Sequence, residues 1–301
     1  MNDVQDFADW MALVQADVER ALEVSLQTSA GSESADSALY DAMRYAVLGG
    51  GKRIRPLLVF AAGELFDASA DVLANAAAAV EMIHAYSLVH DDMPCMDDDA
   101  LRRGKPTVHV RYGEATALLA GDALQAQAFI ALTDDAHVDA ARKLAMVGVL
   151  ARAAGAAGMC GGQAIDLASV GLTLRLDQLE RMHHLKTGAL LRASVLLGAL
   201  AGKTLSAAET TALENYSHAI GLAFQVVDDV LDATADSATL GKTAGKDEAA
   251  NKPTYVSILG LEQSRALAQQ LRHGAHEAIA RFGEKARRLR QLADLIVQRK
   301  A

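Results

Sequence analysis

The most informative stretch of the chain is DVLANAAAAVEMIHAYSLVHDDMPCMDDD, residues 71–99. Its first part is an apolar run rich in alanine and without proline, which predicts a helix from about Val72 to Asp92. We expect the helix to end there because Pro94 pushes the residue before it out of the α region. Five aspartates lie within the nine residues 91–99. An apolar helix therefore carries a dense negative charge at its C-terminal end.

A second acidic cluster, Asp228-Asp229-Val-Leu-Asp232, also follows an apolar helical stretch. Asp228 and Asp232 are four residues apart and share a helix face. Two carboxylates 4 Å apart repel by ~4 kcal/mol at an effective dielectric near 20. A hard divalent cation with oxygen ligands is the simplest explanation for such crowding. A solvated acidic helix end is the alternative, and it accounts for one cluster more easily than for two.

The composition predicts an all-α fold, built as one domain over residues 1–301. Hydrophobic residues make up 51% of the chain and aromatic residues 4%, and no alternating pattern long enough for a sheet is present. The net charge of −9 argues against nucleic-acid binding. Cys95 and Cys160 form no CxxC pair, which is consistent with a reducing cytoplasm. Because no apolar run reaches ~18 residues, we expect a soluble protein without membrane insertion.

The helical pattern is interrupted by two polar stretches, Thr28–Ser37 and Thr234–Lys252, which we interpret as loops. A glycine triplet, Gly49–Gly51, is expected to end the second helix. Besides an N-terminal helix and the one at 72–92, we expect a helix from Ala38 to the glycine triplet and another that resumes after it and runs through Pro56 to about Phe66. The other expected helices are Glu114–Leu132, Val138–Ala154, Leu176–Leu200, Ala207–Asp232, Glu262–Ala280 and Glu284–Arg299.

Cationic residues recur near the acidic clusters in a manner suited to phosphate. The motif GGKRIRP, residues 50–56, places three cations at a helix start, where free N–H groups also favour anions. Arg102 and Arg103 follow the first cluster closely. Any one of these cations alone is more often a solvated surface charge. His84 lies seven residues before Asp91 on the same helix face, and a core role and a ligand role are both open for it. Further cations are Lys186, Lys242 and Lys252.

The three motifs DDMPCMDDDALRRGKPT, FQVVDDVLD and GGKRIRP together resemble the short-chain trans-isoprenyl diphosphate synthases. The resemblance extends over nearly the whole chain, and the motifs in this order are highly specific. It implies an all-α bundle around a deep central cavity, a homodimer, and magnesium, with three ions expected. The substrates implied are isopentenyl diphosphate and an allylic diphosphate.

The resemblance also implies a role for each matching residue. The segment from Gly161 to Asp166 resembles a stretch near the cavity, which would bring Gln163 towards the reacting carbons. The implied magnesium ligands are Asp91, Asp97, Asp228 and Asp232, with Asp92 in support. The implied allylic diphosphate site consists of Arg102, Lys186, Thr187, Gln225 and Lys242. The implied isopentenyl diphosphate site consists of Lys52, Arg55, His84 and Arg103.

The reaction implied is ionisation of the allylic diphosphate, attack by isopentenyl diphosphate on the carbocation, and loss of one proton. Tyr86 is five residues before Asp91, ~7.5 Å deeper along a helix axis at ~1.5 Å per residue. We interpret it as the floor that stops growth at farnesyl diphosphate, against the alternative of a core tyrosine with a paired hydroxyl. Other readings are a geranylgeranyl or other chain-length synthase, a terpene cyclase, a non-catalytic subunit of a heteromeric synthase, and an acidic metal-buffering protein.

Overall fold

Helices make up nearly all of the regular structure in the computed structural model, which describes residues 3–27, 36–172, 174–234 and 253–299. The all-α prediction is confirmed. A hairpin of two-residue strands, β1 (Leu101–Arg102) and β2 (Lys105–Pro106), follows the first acidic cluster. The helices are α1 (Asp3–Ser25), α2 (Asp36–Val47), α3 (Ile54–Glu64), α4 (Ala70–Asp91), α5 (Val108–Tyr112), α6 (Glu114–Thr133), α7 (Ala140–Ala154), α8 (Met159–Ala168), α9 (Leu176–His183), α10 (Ala189–Gly202), α11 (Ala207–Thr234), α12 (Tyr255–Leu259), α13 (Leu261–Ala278) and α14 (Arg287–Gln298).

Helices α4 and α10 form the centre of the bundle. α4 packs against α1, α3, α6 and α10, and α10 packs against α3, α4, α7 and α11. A helix that is apolar on all sides is typically buried, and the four alanines at 76–79 in α4 are fully buried. Their small side chains permit close approach of the neighbouring helices. α4 therefore carries the first acidic cluster out of the middle of the core.

Most predicted helices are present with small shifts at their ends. The short helices α5 and α12 and the hairpin were not predicted, because five-residue helices and two-residue strands are too short to show a period. The ten-residue α8 was not predicted either, and it contains Gly161 and Gly162. Thr234 belongs to α11 and Asp36 begins α2, so both predicted loops are shorter than expected at these ends. The remainder of those loops, residues 28–35 and 235–252, lies outside the described residues. The single-domain boundary stays a prediction.

The helix predicted at 176–200 is interrupted by a π-helical turn, His184–Gly188, between α9 and α10. A π turn contains one more residue than an α turn, and such turns occur frequently at functional sites. This one holds Lys186 and Thr187. The propensities of its residues do not distinguish a π turn from an α turn, so the sequence pattern did not show it.

The expectation that no segment has the length and apolarity of a membrane span was wrong. Within the described residues, four helical stretches qualify by length and composition alone, and 72%, 33%, 33% and 67% of their apolar windows are buried inside the fold. Helices rich in alanine and leucine carry few charges per turn, whether they pack in a protein core or in lipid. In chain order the stretches are Ala70–Asp91, Glu114–Thr133, Ala140–Ala168 and Leu176–Gly202.

A second, smaller core joins α9, α11, α12 and α13 beside the main one. His183 is buried there and stacks on Tyr255 with ring centroids 5.7 Å apart. Neither ring nitrogen of His183 has a hydrogen-bond partner among the described residues. Burial lowers the pKa of His183 from 6.5 to about 4. The folded protein therefore requires a neutral imidazole at this position.

This requirement predicts a loss of stability in mild acid. Between pH 6.5 and about 4 the unfolded chain binds a proton at His183 that the folded chain does not. The free energy of unfolding should therefore decrease as the pH falls through this range, by roughly 3 kcal/mol in total from this group. His183→Phe should remove most of that dependence in urea titrations at several pH values. His273→Phe, at an exposed position, is the control, and equal pH slopes in wild type and His183→Phe would contradict the account.

Candidate active site

The loop after α4 folds back onto the end of that helix. The backbone N–H of Asp97 donates to the carbonyl oxygen of Asp91 at 2.9 Å, and that of Asp98 donates to Met93 at 3.2 Å. Asp98 has a φ of 50°, a left-handed conformation that aspartate adopts more readily than most residues. The backbone of this loop therefore returns Asp97 towards Asp91, and the resemblance implies that both residues are magnesium ligands.

Asp92 and Arg102 form a bidentate pair behind this loop. The Nε of Arg102 donates to Asp92 at 3.0 and 2.8 Å, and its Nη2 donates at 2.5 Å. Asp92 is buried, whereas the Arg102 side chain remains 35% exposed. Such fork geometry orients the guanidinium firmly. Asp92 therefore supports the site by holding Arg102, and it directs the remaining N–H groups of Arg102 away from itself.

Arg103 reaches across to the glycine triplet before α3. Its Nη1 donates to the carbonyl oxygen of Gly50 at 2.9 Å. Gly51 has a φ of 130°, and a Cβ at this residue would lie 2.5 Å from Arg103 Nη1. Only glycine combines this backbone conformation with such close approach. The structure thus brings together two motifs that are about fifty residues apart in sequence.

His84 lies in a cavity of about 150 Å³ that is also lined by Asp92, Arg102 and Arg103. Burial, followed by the charges of Arg55, Arg103, Arg102 and Arg53, lowers the pKa of His84 far below its ordinary value. The imidazole is therefore neutral at physiological pH. The cavity is lined by Arg53, Arg102, Arg103 and Lys105 against Glu81 and Asp92. This excess of positive charge suits an anion with several negative charges.

Asp91 lies on the other side of the same helix end, half-buried. Burial raises its pKa to about 6, Lys186 opposes the shift, and Asp97 adds to it. Lys186 in turn donates to Asp166 Oδ2 of α8 at 2.5 Å. The π-helical turn therefore brings a lysine to the first acidic cluster, as expected, but Asp166 is the carboxylate that it contacts.

The π turn also contacts the second acidic cluster. Thr187 Oγ1 donates to Gln225 Oε1 at 3.4 Å, and Gln225 Nε2 donates to Asp229 Oδ1 at 3.0 Å. Asp228 accepts a hydrogen bond from Arg299 at 2.7 Å, and the Arg299 guanidinium lies 3.8 Å from the Phe224 ring centroid. Asp228 affects the pKa of Arg55, and Arg55 affects that of His84. The two clusters thus belong to one electrostatic environment.

The other predicted site residues are distributed around this centre. Arg55 has a buried Nε without a hydrogen-bond partner among the described residues, and burial lowers the pKa of Arg55. Lys52 is exposed and lines a different, mostly apolar cavity of about 310 Å³ together with Arg299. Asp232 is half-buried, one helical turn after Asp228. Lys242 and Lys252 lie outside the described residues.

Two further predicted positions lie deeper in the bundle. Tyr86 is buried, and its hydroxyl lies 3.6 Å from the Cys160 Sγ. Its hydroxyl therefore has a weak partner, as the core interpretation required, so its role in product length stays a prediction. Gln163 Oε1 is buried and makes no hydrogen bond with a described residue.

Three charged residues with structural contacts were missed by the sequence analysis. Arg53 has a left-handed φ of 48° and turns inward to Glu81 and Glu19, each at 2.5 Å. Asp229 is buried and accepts from the backbone N–H of Tyr255 at 2.7 Å. Asp166 is the third. Each lies within or beside a motif, and only its contacts with residues distant in sequence distinguish it from its neighbours.

The acidic residues of the site fit magnesium in donor type. A buried carboxylate with a raised pKa and an acidic neighbour, as at Asp91, is an arrangement that a cation relieves. No group of three or more His, Cys, Asp or Glu side chains among the described residues is arranged to hold a metal ion by itself. Magnesium is usually held by one or two carboxylates together with substrate phosphates. Asp91 and Asp97 on one side, and Asp228 and Asp232 on the other, are the residues that would hold it.

Comparison with known proteins agrees with this reading. The polyprenyl synthetase family matches residues 36–294. A probable farnesyl diphosphate synthase from Sinorhizobium fredii is 53% identical over 94% of this chain and 85% of its own length. The farnesyl diphosphate synthase of Escherichia coli is 47% identical over 97% of this chain and 99% of its own.

Solved structures share both fold and sequence. An apo FPP/GFPP synthase from Zymomonas mobilis has a TM-score of 0.87 and 42% identity, covering 97% of this chain and 99% of its own. A Helicobacter pylori geranyltransferase complexed with magnesium and isoprenyl diphosphate has a TM-score of 0.80 and 32% identity, covering 95% of each chain. On these matches, together with the two acidic clusters and the arginine-lined cavity beside the first of them, the chain belongs to the polyprenyl synthetase family and is a prenyltransferase.

Proposed function

We propose that the chain condenses dimethylallyl or geranyl diphosphate with isopentenyl diphosphate, head to tail, to give farnesyl diphosphate. The observation that carries the proposal is the positive cavity around a neutral His84 directly beside a magnesium-type carboxylate cluster. Isopentenyl diphosphate needs only fixed cations, whereas the allylic diphosphate needs metal ions as well. Two adjacent anion sites of different composition therefore suit a reaction between two diphosphates. The farnesyl diphosphate synthases at 53% and 47% identity support the product.

We assign the allylic diphosphate to the side that carries Asp91, Asp97, Lys186 and Asp228. Three magnesium ions are proposed there. When bound, magnesium neutralises charge on the diphosphate and stabilises it as a leaving group. Arg102 supports the assignment because Asp92 fixes its guanidinium. The remaining proposed contacts on this side are Thr187, Gln225, Asp232 and Lys242.

We assign isopentenyl diphosphate to the arginine-lined side. Arg55 has a buried Nε without a partner among the described residues, and Arg103 is held beside the glycine triplet, so both have donors for phosphate oxygens. Neutral His84 offers a hydrogen bond without adding charge. Lys52, whose side chain lines the neighbouring cavity, completes the proposed set.

The reacting carbons are proposed to lie between these two anion sites, towards the apolar interior of α4. An allylic carbocation is quenched by water, so the wall below the diphosphates has to be dry. Ala85 and Val89 of α4 are buried apolar residues at this depth. His84 lines the same cavity, but its strongly lowered pKa makes it a weak base, and we propose that the released diphosphate accepts the proton.

The direct test is an assay with both allylic starters, isopentenyl diphosphate and Mg²⁺, in which the prenyl alcohols are sized after phosphatase treatment. We expect a fifteen-carbon product that disappears when EDTA is added. Asp91→Asn should lower kcat/KM by roughly 10²–10³-fold, as loss of one electrostatic contact to a leaving group typically does.

Asp98→Asn is the matched control, because Asp98 belongs to the same cluster but is exposed and left-handed, a conformation that asparagine also tolerates. It should keep near wild-type activity. Absence of any condensation product would favour a non-catalytic subunit, and a twenty-carbon product would favour the geranylgeranyl alternative.

A separate prediction concerns the role of Tyr86 in limiting the length of the product. If its ring is the floor of the prenyl pocket, Tyr86→Ala should shift the products towards twenty carbons and longer, seen by mass spectrometry. Tyr112→Ala removes a ring from α5, near the hairpin, and serves as the control. A product profile of Tyr86→Ala that matches wild type would reject Tyr86 as the floor.

We propose a homodimer that uses the outer face of α6. Leu118, Leu119 and Ile130 of this helix are 47%, 56% and 45% exposed, and exposed apolar patches often mark interaction sites. Sedimentation equilibrium should give a dimer at micromolar concentration, and Leu119→Glu should weaken it at least tenfold. Leu13→Glu is the control, because Leu13 is an exposed leucine on a different helix, α1. A monomeric wild type would refute the proposal.

The cytoplasmic location is likewise a proposal. It is supported by Cys95 and Cys160, both of which are free thiols, and by the absence of a disulfide framework in the sequence. Cell fractionation with an antibody against the chain would test it.

A further inference from the structure

The N-terminal helix α1 contacts the turn that leads into α3, although no residue of α1 has a place in the proposed reaction. Gln15 Nε2 donates to the backbone carbonyl oxygen of Lys52 at 3.3 Å. Glu19 Oε1 accepts from Arg53 Nε at 3.1 Å and from Arg53 Nη2 at 2.5 Å. Gln15 and Glu19 are four residues apart and share a helix face. One face of α1 therefore holds two successive residues of the GGKRIRP motif.

The guanidinium of Arg53 joins α1 to two further helices. Its Nη1 donates to Glu81 of α4 at 2.5 Å, and its Nη2 donates at 2.7 Å to the carbonyl oxygen of Val47, the last residue of α2. Only 4% of the Arg53 side chain is exposed. Charge-assisted bonds from a rigid, planar fork of donors fix the orientation of both partners. With Glu19, these contacts therefore fix Arg53 against α1, α2 and α4 together.

The backbone of Arg53 is left-handed, with a φ of 48° and a ψ of 39°. A residue with a Cβ is strained in this conformation and keeps it only where its surroundings enforce it. Arg53 directly precedes α3, and its side chain makes no capping hydrogen bond to that helix. The contacts of its guanidinium with the other three helices therefore stabilise the strained conformation.

The conformation of Arg53 sets the direction of the cations on either side of it. Arg53 lines the cavity that contains His84, whereas Lys52 lines the adjacent, mostly apolar cavity. Arg55 lies in the first turn of α3, and its buried Nε has no hydrogen-bond partner among the described residues. A change of φ at Arg53 would rotate the chain on one side of it relative to the other. The relative placement of Lys52 and Arg55 therefore depends on Arg53.

We infer that α1 helps to form the isopentenyl diphosphate site, with Glu19 as a positioning residue that acts through Arg53. Glu19 itself makes no contact with the substrate. It holds Arg53 in the left-handed conformation, and this conformation directs Lys52 and Arg55 to the diphosphate. Gln15 supports the same turn through the carbonyl oxygen of Lys52. The inference rests on the proposed function, which assigns Lys52 and Arg55 to isopentenyl diphosphate.

The test measures the dissociation constant of isopentenyl diphosphate by isothermal titration calorimetry, with EDTA present and without an allylic diphosphate. No reaction occurs under these conditions, so the titration reports binding alone. Glu19→Gln should raise the dissociation constant about tenfold, because Arg53 loses its contact with α1. Removal of a negative charge near an anion site would by Coulomb interaction alone lower the constant. The direction of the change therefore separates positioning from a charge effect.

Glu23→Gln is the matched control, because it removes the same charge from α1 one helical turn later, at an exposed position. It should leave the dissociation constant within about twofold of wild type. Arg53→Lys keeps the positive charge but cannot reach three helices with one fork, so it should weaken binding at least as much as Glu19→Gln. Glu19→Gln added to Arg53→Lys should have little further effect.

Steady-state kinetics distinguish positioning from a general loss of structure. Glu19→Gln should raise the KM of isopentenyl diphosphate, while kcat and the KM of the allylic diphosphate change less than about twofold. Circular dichroism and thermal melting establish that each variant is folded. If Arg53→Lys does not fold, Gln15→Ala takes its place, with a smaller expected rise in the dissociation constant because it removes one neutral hydrogen bond.

Three results would count against the inference. A dissociation constant of Glu19→Gln equal to or lower than that of Glu23→Gln would overturn it. Equal rises in the KM of both substrates would also overturn it, because that pattern indicates a general loosening of the fold. Failure of the wild type to bind isopentenyl diphosphate in EDTA would instead remove the assignment of this substrate to fixed cations, and the inference with it.

Discussion

Repulsion among carboxylates at the ends of buried helices is the constraint on which the site depends. α4 and α11 are held in place by apolar packing, and each ends in aspartates that water reaches only in part. A different cation interacts with each of three aspartates: Arg102 pairs with Asp92, Arg299 pairs with Asp228, and Lys186 influences Asp91. Of these three aspartates, Asp91 has the least direct compensation of its negative charge, and its pKa is raised to about 6. A metal ion that also binds substrate phosphates is suited to neutralise the remaining negative charge at Asp91.

The cations of the site differ in what they still have to offer. Arg53 has its guanidinium engaged by Glu19, Glu81 and the Val47 carbonyl. Arg55, two residues later in the same motif, keeps a buried Nε without a described partner. One arginine therefore anchors α3 to the core, and its neighbour stays available to an anion. Asp229 also has an anchoring role, because it holds Gln225 and the start of α12.

Sequence reasoning succeeded where the information was local. Apolar runs and Pro94 placed the ends of α4, and the four-residue spacing of Asp228 and Asp232 placed them on one face. It did not distinguish Arg53 from Arg55, because both follow the same glycines and only the acids of α1 and α4 decide which turns inward. The pairing of Lys186 with Asp166 was invisible for the same reason, since it depends on how α8 packs. Short elements such as α5 and the hairpin lack enough residues for a pattern.

The π turn between α9 and α10 sets the direction in which the side chains of α10 point around the helix axis. An α-helix advances by about 100° per residue, so one inserted residue rotates all later side chains by that angle relative to a regular helix. In this chain the rotation lets Lys186 and Thr187 face the acidic clusters while Leu190 and Leu191 still point into the core, where both are fully buried. A continuous helix could satisfy the core or the polar centre at these positions, but not both. The π turn thus allows core packing and polar-site contacts in one segment, which a regular helix does not allow.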